Sequence, residues 1–234
     1  MQAPATPPKP APAKKSGRLW LEPPPELQPE QFDKLSPSEL IAVLKDPNST
    51  DFAKAKCCQR LAVVGTPDAV PVLASMLTDE RFSTYARNAL QPINHPSVDD
   101  ALRDALTKAK GGPLVGVINS IRYRRDAKAV PALSKLLDHA DPLVAEAAAW
   151  ALGTIGGAEA AKALQRALTR TKGRVRAAAA GAGLVCAEGF LSQGNRAAAL
   201  DLYGTLSGAG IPKSVRLAAM HGAIAAEISL SRPR

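Results

Sequence analysis

Aromatic residues are scarce in this chain of 234 residues, making up 4% of it, whereas apolar residues as a whole make up 46%. The interior therefore has to be built mainly from Ala, Leu and Val. Side chains of this size pack well between closely spaced helices, whereas strands favour β-branched and aromatic residues. The composition predicts an all-α fold.

Residues that commonly carry chemistry are also few. Cys57 and Cys58 are adjacent, so the three cysteines give neither a disulfide framework nor a zinc-binding spacing, and Cys186 is expected to be a small core residue. The sequence has no His-Glu-x-x-His motif, phosphate-binding loop or nucleophile elbow. Its histidines stand far apart, at His95, His139 and His221. We therefore predict no catalytic activity, no metal and no cofactor.

Long hydrophobic runs are missing as well. The richest apolar stretch, Ala177–Ala187, is shorter than the roughly 18 residues that a membrane-spanning helix needs. The residues after Met1 lack the basic start and apolar region of a signal peptide. This favours a cytoplasmic protein. The alternative, if Met1 is not the true N-terminus, is a location in the cell envelope or outside the cell.

The first 35 residues differ in composition from the rest. Met1–Pro29 is rich in Pro, Ala and Lys, which favours an extended, flexible tail. Such a tail is either a spacer or a docking segment for a domain that recognises proline. Trp20, between Leu19 and Leu21, is expected to dock on the first folded repeat.

Two helix starts are well marked. Ser36 to Glu39 reads as a capping box with proline at the first helical position, so folded structure is predicted from Ser36. Asp141-Pro142 begins a second such helix, for which Gly153, Gly156 and Gly157 are predicted to supply the stop. One face of this helix is predicted to be buried: Leu143, Ala147, Ala151, Val144, Ala148 and Leu152.

A pair of leucines four residues apart recurs six times, at steps of about 30 to 40 residues. A second helical pattern follows each pair. The chain is therefore predicted to form six stacked, antiparallel helix pairs, an α-solenoid over residues 36–230. The leucine pairs are Leu40/Leu44, Leu73/Leu77, Leu102/Leu106, Leu133/Leu137, Leu164/Leu168 and Leu202/Leu206.

The run from Asp141-Pro142-x-Val144 to Ala151-Leu152-Gly153 resembles a short HEAT repeat of the PBS-lyase-like kind. The resemblance is good for Gly65–Leu168, looser before it, and poor over residues 173–230, where Gln193–Tyr203 is closer to a tetratricopeptide helix. It implies a right-handed superhelix used as a scaffold for binding proteins. Such repeats often occur within larger bacterial multidomain proteins.

In HEAT-like solenoids the second helix of each pair lines the concave face. Aligning the second helices brings one position of each into a ladder, and Glu146 lies one turn before Trp150 on the same face. A protein or peptide partner is predicted to bind there, with Trp150 either as its anchor or as packing against Ala177–Gly181. The ladder consists of Gln59, Asn88, Asn119, Trp150, Gly181 and His221.

The net charge of +9 suggests an alternative, nucleic acid or another polyanion. Two basic groups fall at turns on the same edge of the array, but Asp138 and Asp141 lie between them. A third group, Arg122, Arg124 and Arg125, falls on the opposite edge. The candidate anion-binding residues are Lys108, Lys110, Arg170, Lys172, Arg174 and Arg176.

Two further expectations concern relatives and the end of the array. Bilin lyases contain similar repeats, so a lyase-like enzyme component is a second alternative, although no residue set carries over from them. The apolar pattern of Val215–Leu230 continues without a polar cap. We therefore expect self-association, or a continuation of the array that another chain or segment supplies.

Overall fold

The computed structural model describes residues 29–208 and 210–228, and within these ranges the chain is helical and has no strand. A short helix, α1 (Pro29–Asp33), precedes six helix pairs. The first helices of the pairs are α2 (Pro37–Lys45), α4 (Val70–Ser75), α6 (Pro96–Lys108), α8 (Val130–Leu136), α10 (Ala158–Arg170) and α12 (Arg196–Leu206). The second helices are α3 (Asp51–Val64), α5 (Ser83–Leu90), α7 (Gly111–Arg124), α9 (Pro142–Ile155), α11 (Gly173–Ser192) and α13 (Lys213–Ile228).

Each second helix packs against its own first helix and against the second helices of the neighbouring pairs. This confirms the predicted solenoid of six pairs. Single turns of 3₁₀ helix, Pro67–Ala69 and Ala127–Ala129, lead into α4 and α8. The leucines of the six predicted pairs are all buried, so the leucine spacing seen in the sequence marks core positions of the repeat.

The first repeat starts as its capping box predicts. The Ser36 hydroxyl accepts from the amide of Glu39, and the Glu39 carboxylate accepts from the amide of Ser36 at 2.8 Å. The Ser36 hydroxyl also donates to the Glu39 carboxylate at 2.6 Å, and this bond, together with the one from the Ser36 amide, lowers the pKa of Glu39. Folded structure nevertheless begins before Ser36, because α1 contacts α3 and Phe32 is buried. Residues 1–28 of the predicted tail (1–35), with the docking of Trp20, lie outside the described residues.

Helix α9 begins as predicted but ends later. The Asp141 carboxylate accepts from the amide of Leu143 at 2.9 Å, and Pro142 occupies the first turn. The helix runs on to Ile155 and is capped by Gly156, whose φ is +74°. Of the three glycines predicted to supply the stop, Gly156 does so, whereas Gly153 lies inside the helix.

Gly153 has another role, because it lies where α9 crosses α11. A methyl group on Gly153 would come within 2.4 Å of the carbonyl oxygen of Ala182 and 2.8 Å of its Cα. The glycine therefore allows the two backbones to touch. The predicted buried face of α9 is right except for Leu143, which is 53% exposed.

All three cysteines are buried and free. Burial raises the pKa of Cys57 to about 11, that of Cys58 to about 12 and that of Cys186 to about 11. The thiols therefore stay protonated at neutral pH and fill core space.

Helix α11, with 20 residues, is long and apolar enough to meet the length and composition test for a membrane span. It packs against α9, α10, α12 and α13, and its buried residues include Ala179, Ala182 and Phe190. A central helix of a solenoid passes the same test, so the finding is weak support for a membrane location.

Candidate functional site

The exposed large hydrophobic residues are distributed very unevenly. Within the described ranges there are ten of them, and every one lies on a second helix. We call the exposed side of α3, α5, α7, α9, α11 and α13 the second-helix face. Its apolar members are Phe52, Val63, Tyr85, Tyr123, Leu143, Trp150, Val185, Leu217, Met220 and Ile224.

The ladder positions also lie on this face. Gln59, Asn88, Asn119 and His221 are exposed, whereas Gly181 is partly covered. They come from successive second helices that contact one another. Asn88 and Asn119 each have an exposed tyrosine on the same helix, Tyr85 and Tyr123.

Trp150 combines packing with exposure. Its six-membered ring lies over Gly181 of the next second helix, so that a methyl group on Gly181 would come within 2.6 Å of Cη2. The side chain still leaves 37% of its surface exposed. The indole is therefore held in place by α11 and presents one side to solvent.

The two sets of helices also differ in charge. The second helices carry ten basic and four acidic residues, a net charge of +6. The first helices carry eight basic and six acidic residues, a net charge of +2. The second helices are thus the more basic set, although Arg60, Arg124 and Arg174 among them are paired with carboxylates.

The candidate anion-binding residues do not form an open basic stripe. Lys108 pairs with Asp104 at 2.5 Å, and Arg170 pairs with Asp138 at 3.3 Å. Lys110 and Lys172 occupy the N-cap positions of α7 and α11, and the Arg176 guanidinium lies against Gly210.

Arg174 is paired as well, because its guanidinium donates to Glu146. Hydrogen bonding to that carboxylate raises the pKa of Arg174. The predicted groove residue Glu146 is therefore an ion-pair partner of a predicted anion-binding residue, and it holds the start of α11 against α9.

The basic residues on the opposite edge include structural ones. Arg124 pairs with Asp99 and donates to the carbonyl oxygens of Gln91 and Ile93 at 3.0 and 3.1 Å. Its guanidinium closes the turn that follows α5. This side chain serves the fold, and phosphate does not have access to all of its donors.

Sequence reasoning missed a polar pair on α5. Ser83 and Arg87 lie one turn apart and point towards α7. One repeat later, the same positions are occupied by Leu114 and Ile118, which are both buried. Comparing the repeats at these core positions, as well as at the ladder, would have revealed the pair from the sequence.

The described ranges contain no candidate metal site. No group of three or more His, Cys, Asp or Glu residues there could hold a metal ion. His95 caps α6 through Nδ1, and His139 Nδ1 accepts from the amide of Asp141 at 3.0 Å. Two of the three histidines therefore have local structural roles.

Comparisons with known proteins agree with this architecture. The family model for HEAT repeats matches residues 100–183, which run from within α6 into α11. The chain therefore contains HEAT repeats over this stretch. The solved structures similar to the chain include two crystal structures of engineered proteins from the Northeast Structural Genomics Consortium.

The first engineered protein has a TM-score of 0.50 and 20% sequence identity, covering 85% of this chain and 97% of its own. The second has a TM-score of 0.49 and 23% identity, covering 80% of this chain and 57% of its own. At this level of identity the first one supports the fold alone. No curated protein gives a significant match to the sequence.

Proposed function

We propose that this HEAT-repeat protein is a non-catalytic scaffold that binds an extended segment of a partner protein along the second-helix face. The observation that carries the proposal is that all ten exposed large hydrophobic residues of the described ranges lie on second helices. Interfaces between proteins are built around such apolar anchors, with a polar rim.

The middle of the array has the best combination of groups. Tyr123 is 70% exposed, Trp150 is pre-positioned by Gly181, and Asn88 and Asn119 offer amide donors and acceptors beside them. Neighbouring helices pack about 8 to 10 Å apart. From α5 to α11 this part of the face therefore spans roughly 30 Å, enough for about nine extended residues.

The charge of the face indicates the chemistry of the partner. A net charge of +6 on the second helices favours a segment that carries acidic residues between its apolar ones. Such a segment would also approach the scaffold faster at low ionic strength.

Site-specific photocrosslinking in cells of the source organism tests the proposal. A photoreactive phenylalanine analogue replaces Asn88 or Asn119 on the second-helix face and, as matched controls, Lys135 or Thr169 on first helices, all of them exposed. We expect one partner to crosslink from the second-helix positions and not from the controls. Equal crosslinking from both sides, or none from Asn88 and Asn119, would contradict the proposal.

The crosslinked partner is then purified and its affinity measured by calorimetry. Tyr123→Ser should weaken binding at least about tenfold without a change in the melting temperature, because this side chain is mostly exposed. Lys135→Ala, on the first helix α8, should leave the affinity unchanged.

Nucleic acid is the alternative partner, and its support is the net charge of +9. The ion pairs of Lys108, Arg170 and Arg174 weaken it, because phosphates would have to compete with carboxylates. Duplex DNA binding that falls steeply between about 50 and 200 mM salt would favour this alternative.

Three apolar members of the second-helix face, Leu217, Met220 and Ile224, lie on α13. Their exposure is compatible with the expectation that another chain covers this helix. That expectation stays a prediction. Sedimentation velocity over a hundredfold range of protein concentration tests it.

A further inference from the structure

The cleft between the start of α5 and the start of α7 has polar groups where the next repeat has core residues. Ser83 is only 3% exposed and Arg87 is half-buried, and both face α7. The equivalent residues one repeat later, Leu114 and Ile118, are part of the hydrophobic core. Two polar residues one turn apart thus stand at this joint where the next repeat has two core residues.

The cleft is shaped to accommodate the arginine. The Arg87 guanidinium lies over Gly116 of α7, where a methyl group would come within 2.5 Å of Nε and 2.6 Å of Cζ. Burial lowers the pKa of Arg87, because its charge is partly removed from water. Its Nη2 donates to the Thr84 hydroxyl at 3.3 Å.

Two buried polar atoms in this cleft have no hydrogen-bond partner in the described part of the chain, Nε of Arg87 and Oγ of Ser83. Buried polar groups nearly always have a partner, and an exception calls for an explanation. Both atoms are hydrogen-bond donors to an anion, which indicates what is missing.

The start of α7 adds to the same preference. Thr50 and Asp141 cap α3 and α9 with their side chains, but Lys110 makes no such cap on α7. Gly112 and Pro113 of its first turn line the cleft. The first-turn amides of a helix attract negative charge, and here they lie beside a guanidinium.

We propose that this cleft binds a carboxylate, with Arg87, Ser83 and the start of α7 as the groups that hold it. The cleft measures about 310 Å³, enough for the end of an acidic side chain. Glu80 also lines it, so the ionisable side chains of the lining sum to about zero. A singly charged carboxylate therefore fits better than a doubly charged phosphate, which Glu80 would repel more strongly.

The source of the carboxylate follows from the proposed function, on which this step rests. The cleft lies at the amino-terminal end of the two second helices that carry Asn88 and Asn119. An acidic residue of a segment bound along the second-helix face would reach it. The carboxylate site would thus fix the register of the partner segment.

The test is a titration of the full chain, labelled with ¹⁵N, with sodium acetate at constant ionic strength. We expect saturable shifts of the Arg87 Nε–Hε signal and of the amide signals of Gly111 and Gly112. Arg87→Gln should weaken acetate binding at least about tenfold, because a charge-assisted pair is lost. Arg166→Gln, an exposed arginine on α10 with the same loss of charge, is the matched control and should bind acetate normally.

Two further variants keep the test decisive if Arg87→Gln proves unstable. Ser83→Ala should weaken acetate binding several-fold, and Glu80→Gln, at an exposed position, should strengthen it several-fold. An unchanged affinity in both would overturn the proposal, as would acetate shifts that do not saturate.

Inorganic phosphate in a second titration separates the two kinds of anion. Tighter binding of phosphate than of acetate would overturn the assignment to a carboxylate. The outcome is also separable from the proposed function. Failure of the acetate titration would leave crosslinking from Asn119 unaffected, and failure of the crosslinking would leave an acetate site without an assigned source.

Discussion

The joints between α9 and α11 and between α5 and α7 are built alike but filled differently. Each places a flat side chain over a glycine of the next second helix, Trp150 over Gly181 in one and Arg87 over Gly116 in the other. The indole ring packs against Gly181 through apolar contact. The guanidinium leaves Nε without a partner in the described part of the chain.

This difference separates stability from function. Close packing stabilises the α9–α11 joint, because its Ala and Gly residues let the two backbones approach and the Trp150 indole packs over Gly181. The α5–α7 joint carries buried polar groups that a pair of leucines would replace to advantage. A polar group retained at the expense of stability is typical of a binding site.

The largest effect is expected from a side chain that obstructs the backbone contact between α9 and α11. Gly153→Ala should lower the free energy of unfolding by about 3 kcal/mol, because the new methyl group meets the backbone of Ala182 at 2.4 Å. Urea unfolding measures it. Gly189→Ala on α11 is the matched control: nothing lies within 4 Å of its added methyl group, and it should stabilise by about 0.5 to 1 kcal/mol. Similar effects at both glycines would mean that the joint is not close-packed.

Removing the indole tests the apolar filling. Trp150→Ala should lower the free energy of unfolding by about 2 kcal/mol, less than for a fully buried tryptophan because 37% of the side chain is exposed. The array should remain folded by circular dichroism. A loss below about 0.5 kcal/mol would show that the indole contributes little packing, leaving partner binding as its role.

Replacing the polar filling should have the opposite sign. Arg87→Leu should raise the free energy of unfolding by about 1 kcal/mol, because it removes a buried donor that has no partner in the described part of the chain. It also gives this position an aliphatic side chain, like that of Ile118 one repeat later. Arg124→Leu is the contrasting arginine. It should destabilise by about 2 kcal/mol, since it leaves Asp99 and the carbonyls of Gln91 and Ile93 without their donor. If Arg87→Leu destabilises equally, Arg87 is structural.

The smallest effect concerns the thiol of Cys186, which is buried on α11. Burial raises its pKa from 9.0 to about 11 in the folded chain, so its contribution is complete below pH 9 and is lost as the pH rises towards 11. From about pH 8 to about pH 9.5 the loss should be about 0.8 kcal/mol. Urea unfolding at both pH values measures it. Over this pH range a Cys186→Ala control should lose about 0.8 kcal/mol less than the unmodified protein. An equal loss in both proteins would contradict the raised pKa of Cys186.

The fold followed from the sequence where local signals and the repeat agree. The capping box at Ser36, the cap at Asp141 and the buried leucine pairs all appear as predicted. Gly153 was misread because a glycine that stops a helix and a glycine that admits a neighbouring backbone look the same in one dimension. The burial of Phe32 depends on the contact between α1 and α3, which no local sequence pattern predicts.

The candidate site was predictable only in part. The ladder register placed Asn88, Asn119 and Trp150 on the exposed face, because alignment of the repeats fixes which way a helix faces. The pairing of Arg174 with Glu146 depends on the distance between two helices. The polar pair of Ser83 and Arg87 was visible in the same alignment, at positions where a core residue was expected.

The contact between Gly153 and Ala182 has a mechanical consequence. Two helices whose backbones touch have no long side chains between them to act as a cushion, so they resist sliding and changes of angle. We therefore expect the superhelix to bend more readily at a joint such as α5–α7, where an arginine and a cleft lie between the helices. A ligand in that cleft would stiffen this joint and restrict its curvature.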